Sequence, residues 1–223
     1  MFSRTVSLLG EENFKKLQTA KICLVGVGGV GGAVSEVLTR TGITNLTLID
    51  GDVISVSNLN RQIFTTKENI GSPKVEEMKK RILAVNPNAK VQTVFKFLSP
   101  ENIAETLAEK YDYVIDAIDD IKAKVALISY CKKNTINIIS AMGAGNRWGQ
   151  PSFEVVDIYK TSYDPLAKVL RKKLREENIG GLDVCISKTE VDQKLSPPAS
   201  VMWQPLTSGA VIASFVINKI CKN

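Results

Sequence analysis

The sequence predicts an α/β protein, with a mainly parallel sheet, flanking helices and a smaller strand and helix extension at its C-terminal end. Three observations support this prediction. Short apolar runs alternate with helix-length segments through the first two-thirds of the 223 residues, and this alternation gives right-handed βαβ crossovers and a parallel sheet. The first apolar run leads directly into a glycine-rich loop. The final third continues with strand-like and helical segments, without a linker before it.

The predicted strands are short runs of mostly apolar residues: 21–25, 46–50, 91–95, 114–117 and 137–140, then 152–158 and 180–190. The predicted helices run from the glycine loop to about 40, then over 72–86, 100–110, 121–133, 164–177 and about 207–221. Pro73 suits the first turn of the second helix, and Ser99 suits the N-cap of the third. We expect a surface loop over 192–198, which is polar and contains two prolines.

Length and composition are typical of one globular domain, with 44% apolar and 23% charged residues. We divide the single domain 1–223 into a core, 1–145, and an extension with the C-terminal helix, 146–223. No apolar run approaches the roughly 18 residues that span a bilayer. The first residues lack the long apolar region and the cleavage site of a signal peptide. We therefore expect a cytoplasmic protein with no membrane partner.

The net charge, the lack of histidine and the wide spacing of the cysteines limit the functions that this chain can have. The net charge of +6 favours a polyanionic partner without identifying it. The chain has no histidine, which excludes a Ser-His triad, a histidine general base and a histidine metal site. The four cysteines are far apart in the sequence, so they predict neither a structural zinc site nor a disulfide framework.

The glycine-rich loop predicts a nucleotide site. Gly26, Gly28 and Gly31 have the G-x-G-x-x-G spacing, which provides a tight turn, a close backbone approach to phosphate and close helix packing. Gly29 lies in the same loop and is a further candidate nucleotide-binding residue. Asp50 ends the second strand, where a carboxylate can accept hydrogen bonds from ribose hydroxyls. This context indicates a Rossmann-like sheet, for which NAD is the default nucleotide. The alternative is a glycine turn that only packs.

The segment after Asp50 favours ATP over NAD. It contains Asn58, Arg61 and Lys74, and a hydride-transferring enzyme needs no such array beside its phosphates. An enzyme that attacks ATP does need one, because charge develops on the triphosphate as pyrophosphate leaves. Asp119 follows another predicted strand and offers the hard oxygen ligand that Mg²⁺ prefers. Surface charges without a ligand are the alternative interpretation of Arg61 and Lys74.

These residues belong to motifs that resemble those of the ubiquitin-activating-enzyme-like superfamily, whose bacterial members include ThiF and MoeB. The motifs are G-x-G-G-x-G at 26–31, I-D-x-D at 49–52, S-N-L-x-R-Q at 57–62, a lysine thirteen residues later, and D-A-x-D at 116–119. The resemblance implies an ATP-binding core in which Asp50 binds ribose and Asp119 binds Mg²⁺. It also implies that Asn58, Arg61 and Lys74 contact phosphates.

The N-terminal residues extend this resemblance and imply a second subunit. Arg4, in the opening F-S-R, matches a superfamily arginine that reaches the triphosphate from the other subunit. The resemblance therefore implies a homodimer. It also implies that an accessory sulfur-transfer protein is a candidate partner.

A second set of motifs is similar to the tRNA threonylcarbamoyladenosine dehydratase family over nearly the whole chain. The set is R-T-G-I at 40–43, S-N-L-N-R-Q-I at 57–63, N-P at 86–87, I-D-A-I-D at 115–119, A-M-G-A-G at 141–145 and D-P-L-A at 164–167. The resemblance implies ATP-dependent cyclisation of threonylcarbamoyladenosine beside the tRNA anticodon, with loss of one water. Two alternatives stay open: an adenylyltransferase for a ubiquitin-like sulfur-carrier protein, and a non-catalytic or redox nucleotide-binding module. The chain departs from the family pattern in three places. It is shorter between 178 and 205, its residue order around Cys185 differs, and no Asp-Pro follows the glycines of 141–145. The tRNA-facing details therefore do not follow from the resemblance.

Three features of the extension have two interpretations each. The basic segment 168–175 contacts tRNA phosphates or is a solvated helix face. Cys185 is expected in a mobile loop, where it is either an acyl-accepting thiol or an idle cysteine. Trp148 and Trp203 stack on RNA bases or pack into the protein.

Overall fold

The computed structural model describes residues 1–162, 164–193 and 195–222. Its helices are α1 Ser3–Leu9, α2 Glu11–Thr19, α3 Gly29–Thr41, α4 Lys74–Val85, α5 Ile103–Thr106, α6 Ile121–Lys133, α7 Pro165–Glu176 and α8 Trp203–Lys222. Its strands are β1 Lys21–Val25, β2 Asn45–Ile49, β3 Lys90–Val94, β4 Tyr113–Asp116, β5 Ile138–Ala141, β6 Phe153–Asp157 and β7 Asp183–Ser187. Two short 3₁₀ helices span Val56–Asn58 and Ile158–Lys160.

Within these described ranges the seven strands form one sheet in the order β3-β2-β1-β4-β5-β7-β6. All neighbouring pairs are parallel except β6 with β7. Crossover helices cover both faces of a parallel sheet, so its strands are apolar on both sides. In β1 the residues from Ile22 to Val25 are all buried. The predicted α/β architecture with a mainly parallel sheet is confirmed.

Alternate residues of β1 contribute to two apolar layers. Ile22 and Leu24 pack into the layer that contains side chains of α3, α4 and α8. Cys23 and Val25 point to the opposite layer, which contains side chains of α5, α6 and α7, because successive strand residues face opposite sides of a sheet. Helix α8 lies against α3 at Gly209, where a Cβ would be 2.6 Å from the Val30 carbonyl oxygen. The C-terminal helix therefore covers the face of the sheet next to the glycine loop.

The predicted strands are all present, with ends that shift by a few residues, and three predicted helix starts were wrong. Helix α5 covers only Ile103–Thr106, because Asn102 bonds the Ser99 N–H and the Phe97 carbonyl and ties this segment into a turn. Ser99 is therefore not an N-cap. Pro73 is the residue before α4 and not part of its first turn.

Two further differences concern the ends of the chain. Helix α8 begins at Trp203, four residues before the predicted start, because Pro205 fits the first turn, where its missing N–H has no helical partner to lose. Helices α1 and α2 precede the first strand and had no predicted counterpart. No helix in the described part of the chain is long and apolar enough to cross a membrane.

Candidate functional site

The glycine loop lies where the strand order reverses. β1 is flanked by β2 on one side and β4 on the other, so the loops after β1 and β4 leave the sheet in different directions. Ligands of open α/β sheets bind at this position, beyond the carboxyl ends of the strands. The residues predicted from the sequence to bind a nucleotide follow β1, β2 and β4, so the fold brings most of them to one edge of the sheet.

The three spaced glycines have different surroundings. Gly26 has φ of +91°, and a Cβ there would lie 2.5 Å from the Ala117 carbonyl oxygen. A Cβ on Gly31 would collide with the carbonyl oxygen of Gly26. At Gly28 the nearest atom to a Cβ, the Gln62 amide nitrogen, is 3.9 Å away. The first and last glycines are therefore required by packing, and the backbone at Gly28 is open to a ligand.

Gly29 begins α3 and lies beneath α8. A Cβ at this position would be 3.0 Å from the Cβ of Pro205 and 3.4 Å from the Arg61 carbonyl oxygen. The absence of a side chain therefore lets α8 and the loop that contains Arg61 approach the start of α3. This start carries free N–H groups and the positive end of the helix dipole, both of which favour an anion.

Asp50 connects the end of β2 to the glycine loop. One carboxylate oxygen accepts a hydrogen bond from the Val27 N–H at 2.6 Å, and the other accepts one from the Asp52 N–H at 2.8 Å. Burial raises the pKa of the Asp50 carboxyl above its usual value, while the two N–H donors and the charge of Lys74 oppose this rise. The carboxylate is oriented toward the nucleotide loop, and its remaining lone pairs can accept from a hydroxyl.

Lys74 is buried at the start of α4. Its ammonium group lies 2.6 Å from a carboxylate oxygen of Asp52, which is half exposed. The Asn58 side chain is buried in the preceding 3₁₀ turn, where its oxygen accepts from the Ser55 N–H at 3.0 Å. A phosphate contact by Asn58 would therefore use its amide nitrogen.

The Arg61 side chain is held within its own loop. One guanidinium nitrogen donates to the Ser57 carbonyl at 2.6 Å and to the Asn60 side chain at 3.1 Å. The guanidinium has further N–H groups in a fixed plane, which suits an anion with several oxygens. Arg61 and Lys74 are thus positioned by neighbours before any ligand binds.

The carboxylates after β4 have separate surroundings. Asp116 is fully buried and bonded to Lys124 at 2.8 Å, and Asp120 caps α6 through the Ala123 N–H. Asp119 is exposed, and its carboxylate forms no hydrogen bond or ion pair with any described residue. No cluster of three or more metal-binding side chains occurs within 1–162, 164–193 and 195–222. Mg²⁺ is commonly held by one or two carboxylates together with substrate phosphates, so Asp119 fits that kind of site.

Arg4 and Cys185 belong to α1 and β7, two elements that carry none of the residues named above. Arg4 is exposed on α1, which contacts α2. The expectation that Cys185 lies in a mobile loop was wrong, because Cys185 is fully buried in β7 and pairs with Val155 of β6. Burial raises the pKa of its thiol to about 11. Since a thiolate is the nucleophilic form, this thiol is unsuited to acyl transfer.

Sequence reasoning missed three residues around the site. Lys124 binds Asp116, the Ser140 hydroxyl and the Ala141 carbonyl from within α6. A lysine within the apolar stretch of this predicted helix was the available signal. Phe97 lies against Gly51, and Arg147 holds the loop after β5. Nothing local in the sequence indicated either contact, because both depend on how distant loops meet.

The arrangement combines an open glycine backbone, two oriented cations and an exposed carboxylate beside a helix N-terminus. Positioned cations and N–H donors stabilise a polyphosphate, and the oriented Asp50 carboxylate suits a ribose hydroxyl. The site can therefore hold a nucleoside polyphosphate with its phosphates near Arg61 and Lys74.

Comparison with known proteins agrees with this geometry. Residues 2–163 match the ThiF family. The tRNA threonylcarbamoyladenosine dehydratase of Escherichia coli is 41% identical over 212 residues, which cover 95% of this chain and 78% of that protein. The Bacillus subtilis protein of the same name is 34% identical over 241 residues, covering 100% and 95% of the two chains. The molybdopterin-synthase adenylyltransferase of Haemophilus influenzae is more distant, at 33% identity over 77% of this chain.

The folded chain also resembles solved structures of these enzymes. A crystal structure of the Escherichia coli tRNA N6-threonylcarbamoyladenosine dehydratase in complex with ATP superposes with a TM-score of 0.93 and 37% identity, covering 99% of this chain and 93% of that one. A complex of the same enzyme with AMP matches equally well. The chain belongs to the ThiF family and, within it, to the tRNA threonylcarbamoyladenosine dehydratases.

Proposed function

We propose that this chain is an ATP-dependent tRNA threonylcarbamoyladenosine dehydratase. The observation that carries the proposal is the agreement between the site and the family. Two oriented cations, Arg61 and Lys74, lie beside an open glycine loop in a chain that matches an ATP-bound dehydratase over nearly its whole length.

The proposed reaction has two steps. In the first, the carboxylate of threonylcarbamoyladenosine attacks the α-phosphorus of ATP, a P–O bond forms, and pyrophosphate leaves. In the second, a nucleophile within the same modified nucleoside attacks the activated carbonyl carbon, a ring closes, and AMP leaves. The nucleoside loses one water overall. The attacking carboxylate is already ionised at neutral pH, so the first step needs no general base, in agreement with a chain that has no histidine.

The residues of the site have complementary roles in this proposal. Arg61 and Lys74 stabilise the charge that develops as pyrophosphate leaves, and the amide of Asn58 contacts a phosphate. Lys74 exchanges its partner Asp52 for a phosphate oxygen when ATP binds. Asp50 binds the ribose, and the backbone around Gly28 approaches the phosphates.

Mg²⁺ is part of the proposal, with Asp119 as its protein ligand. The ion would neutralise charge on the phosphates. An Asp119→Asn variant should need a higher Mg²⁺ concentration for half-maximal activity while its affinity for ATP without Mg²⁺ stays close to wild type. An unchanged Mg²⁺ requirement would exclude Asp119 as the ligand.

The proposed active form is a homodimer in which Arg4 of a second copy reaches the triphosphate. Helix α1, which carries Arg4, buries none of its residues in the single chain, and Leu8 on it is 84% exposed. At a Mg²⁺ concentration too low to support Asp119→Asn, mixing this protein with Arg4→Ala should restore part of the activity, since one site of each mixed dimer has both residues intact. No recovery in confirmed mixed dimers would show that Arg4 acts within its own chain.

The proposal divides the chain into an ATP-binding core, 1–145, and a substrate-side extension, 146–223. It places the protein in the cytoplasm with tRNA as its substrate and an accessory sulfur-transfer protein as a further partner. The nucleotide-site residues named above all precede residue 145, which supports the division. Cell fractionation and affinity capture with the intact chain test the location and the accessory partner.

The decisive experiment is nucleoside mass spectrometry on tRNA that carries linear threonylcarbamoyladenosine. Incubation with the protein, ATP and Mg²⁺ should remove one water from that nucleoside, and the loss should be absent with Lys74→Ala. An unchanged nucleoside, in the presence of wild-type protein that binds ATP, would overturn the proposal. The substrate would then be sought among small carrier proteins.

A further inference from the structure

The two tryptophans of the chain lie on neighbouring segments of its surface. Trp148 and Trp203 are the only tryptophans in the sequence, and their exposed fractions are 68% and 45%. The Trp203 indole N–H donates to the carbonyl of Gly149 at 3.3 Å, so it reaches the residue next to Trp148. The interpretation that these side chains only pack into the protein is wrong for Trp148 and only partly true for Trp203.

The loop that carries Trp148 is firmly held. Arg147 is buried and donates to the carbonyls of Gly143, Gly145 and Thr189. Asn146 exchanges two hydrogen bonds with Ala199, from its backbone N–H and to its side-chain oxygen. The exposed indole is therefore presented by a fixed backbone, which lowers the entropic cost of binding a flat ligand.

The segment that carries Trp203 borders the proposed ATP site. Pro205, two residues after Trp203, lies directly over Gly29 at the start of α3. The side chain of Asn60, which precedes Arg61, donates to the Ser200 carbonyl at 3.0 Å. Both contacts place the start of α8 beside the glycine loop. A ligand on the two indoles would therefore lie next to a substrate that reacts with ATP.

The charges near this surface match a polyanion. Asp164 caps α7 and lies 3.6 Å from Arg147, so α7 begins beside the loop of Trp148. Within Pro165–Glu176 there are five basic residues and one acidic residue, and most of the basic side chains are exposed. An RNA strand that placed bases on the indoles could place phosphates along this helix.

We propose that Trp148 and Trp203 bind single-stranded bases of the tRNA loop beside the reacting nucleoside, with α7 contacting the flanking phosphates. This inference rests on the proposed function and names the substrate surface that serves it. Unstacked loop bases are the part of an RNA that proteins recognise by stacking on aromatic rings.

Fluorescence tests this binding directly, because no other tryptophan contributes. An anticodon stem-loop RNA without the modification should quench the emission of wild-type protein and of the single-tryptophan variants Trp148→Phe and Trp203→Phe. Absence of quenching at RNA concentrations that bind, as measured by gel shift, would overturn the proposal. This measurement needs no turnover, so its outcome is separate from failure of the proposed reaction, which would appear as wild-type protein without dehydration.

Kinetics test the role of stacking. Trp148→Leu should raise the KM for modified tRNA about 5- to 100-fold, with kcat and the Kd for ATP nearly unchanged, and Trp148→Phe should recover most of the loss because it keeps an aromatic face. Equal KM values for the Leu and wild-type proteins would overturn the proposal. A Leu variant that becomes monomeric in sedimentation would also overturn it, because Trp148 would then belong to a subunit contact.

Discussion

At the residue scale, two glycines of one loop differ in the space that is available for a side chain. Gly26 has a positive φ and no space for a Cβ against Ala117, whereas Gly28 faces open space. Packing therefore explains the glycine at position 26, and access for a ligand explains the glycine two positions later. The same G-x-G-x-x-G spacing combines both reasons, and the sequence alone cannot distinguish them.

This difference predicts two outcomes for alanine substitutions. Gly26→Ala should lower the free energy of unfolding by about 1–3 kcal/mol, because its backbone is strained for an L residue and its Cβ collides with Ala117. Gly28→Ala should change stability by less than about 0.5 kcal/mol but weaken ATP binding. Urea unfolding without ligand and ATP titration measure the two effects. Equal stability of the two variants would contradict the packing argument.

Cys185 is a second case in which surroundings decide the role of a residue. Its thiol is fully buried, and its pKa is raised to about 11 by burial. We predict that Cys185→Ser dehydrates tRNA at a rate within about twofold of wild type, since no thiolate forms there at neutral pH. Iodoacetamide should label the partly exposed Cys221 first in native protein. Loss of activity in a folded Cys185→Ser protein would contradict this prediction.

At the scale of elements, a buried ion pair joins three of them below the site. Lys124 of α6 contacts Asp116 at the end of β4 and two groups at the end of β5, and both charged side chains have no exposed surface. The three N–H donors of the ammonium group each have a partner. Asp116 also accepts from the Ile118 N–H at 3.0 Å, so the pair shapes the turn that leads to Asp119.

Removal of the Lys124 ammonium group should lower the free energy of unfolding. Lys124→Met leaves the Asp116 carboxylate buried without its partner, which typically costs about 3–5 kcal/mol of stability. Lys122→Met is the matched control, because Lys122 is exposed on the same helix and its loss should cost less than about 0.5 kcal/mol. Urea unfolding compares the two proteins. Similar urea midpoints for the two variants would show that the charge of Lys124 contributes little to stability.

At the scale of the whole molecule, buried thiols link stability to alkaline pH. Burial raises the pKa of Cys185 to about 11 and that of Cys131 to about 12, from 9.0 in both cases. The folded thiols therefore hold their protons at pH values at which the unfolded thiols lose them. Their contribution to stability is complete below pH 9 and is lost as the pH rises toward 11 to 12.

We therefore expect the free energy of unfolding to fall above pH 9, by roughly 1 kcal/mol for each buried thiol at pH 10. Urea unfolding between pH 7.5 and pH 10.5 measures this fall. In Cys185→Ser the free energy of unfolding should fall less than in wild type, because serine does not ionise in this range. The difference should equal the contribution of one thiol. An identical pH dependence of the two proteins would show that Cys185 does not contribute.

Local sequence patterns were enough to predict the succession of strands and helices, the glycine loop and the acid at the end of β2. These features depend on local periodicity and on backbone requirements of neighbouring residues, so they can be recognised without knowledge of distant contacts. The motifs after Asp50 also indicated ATP and the family. Helix starts were less predictable, because a side chain such as Asn102 can form a turn that competes with the helix.

Three features became visible only in the folded chain: the burial of Cys185, the partner of Lys124 and the exposure of the two tryptophans. Each depends on contacts between residues far apart in the chain, such as Pro205 against Gly29 and Trp203 with Gly149. Burial and exposure arise when elements pack, and the same short segment can be covered or open in different folds. Burial could not be predicted because it belongs to the packed molecule, whereas periodicity can be seen in the sequence of the chain.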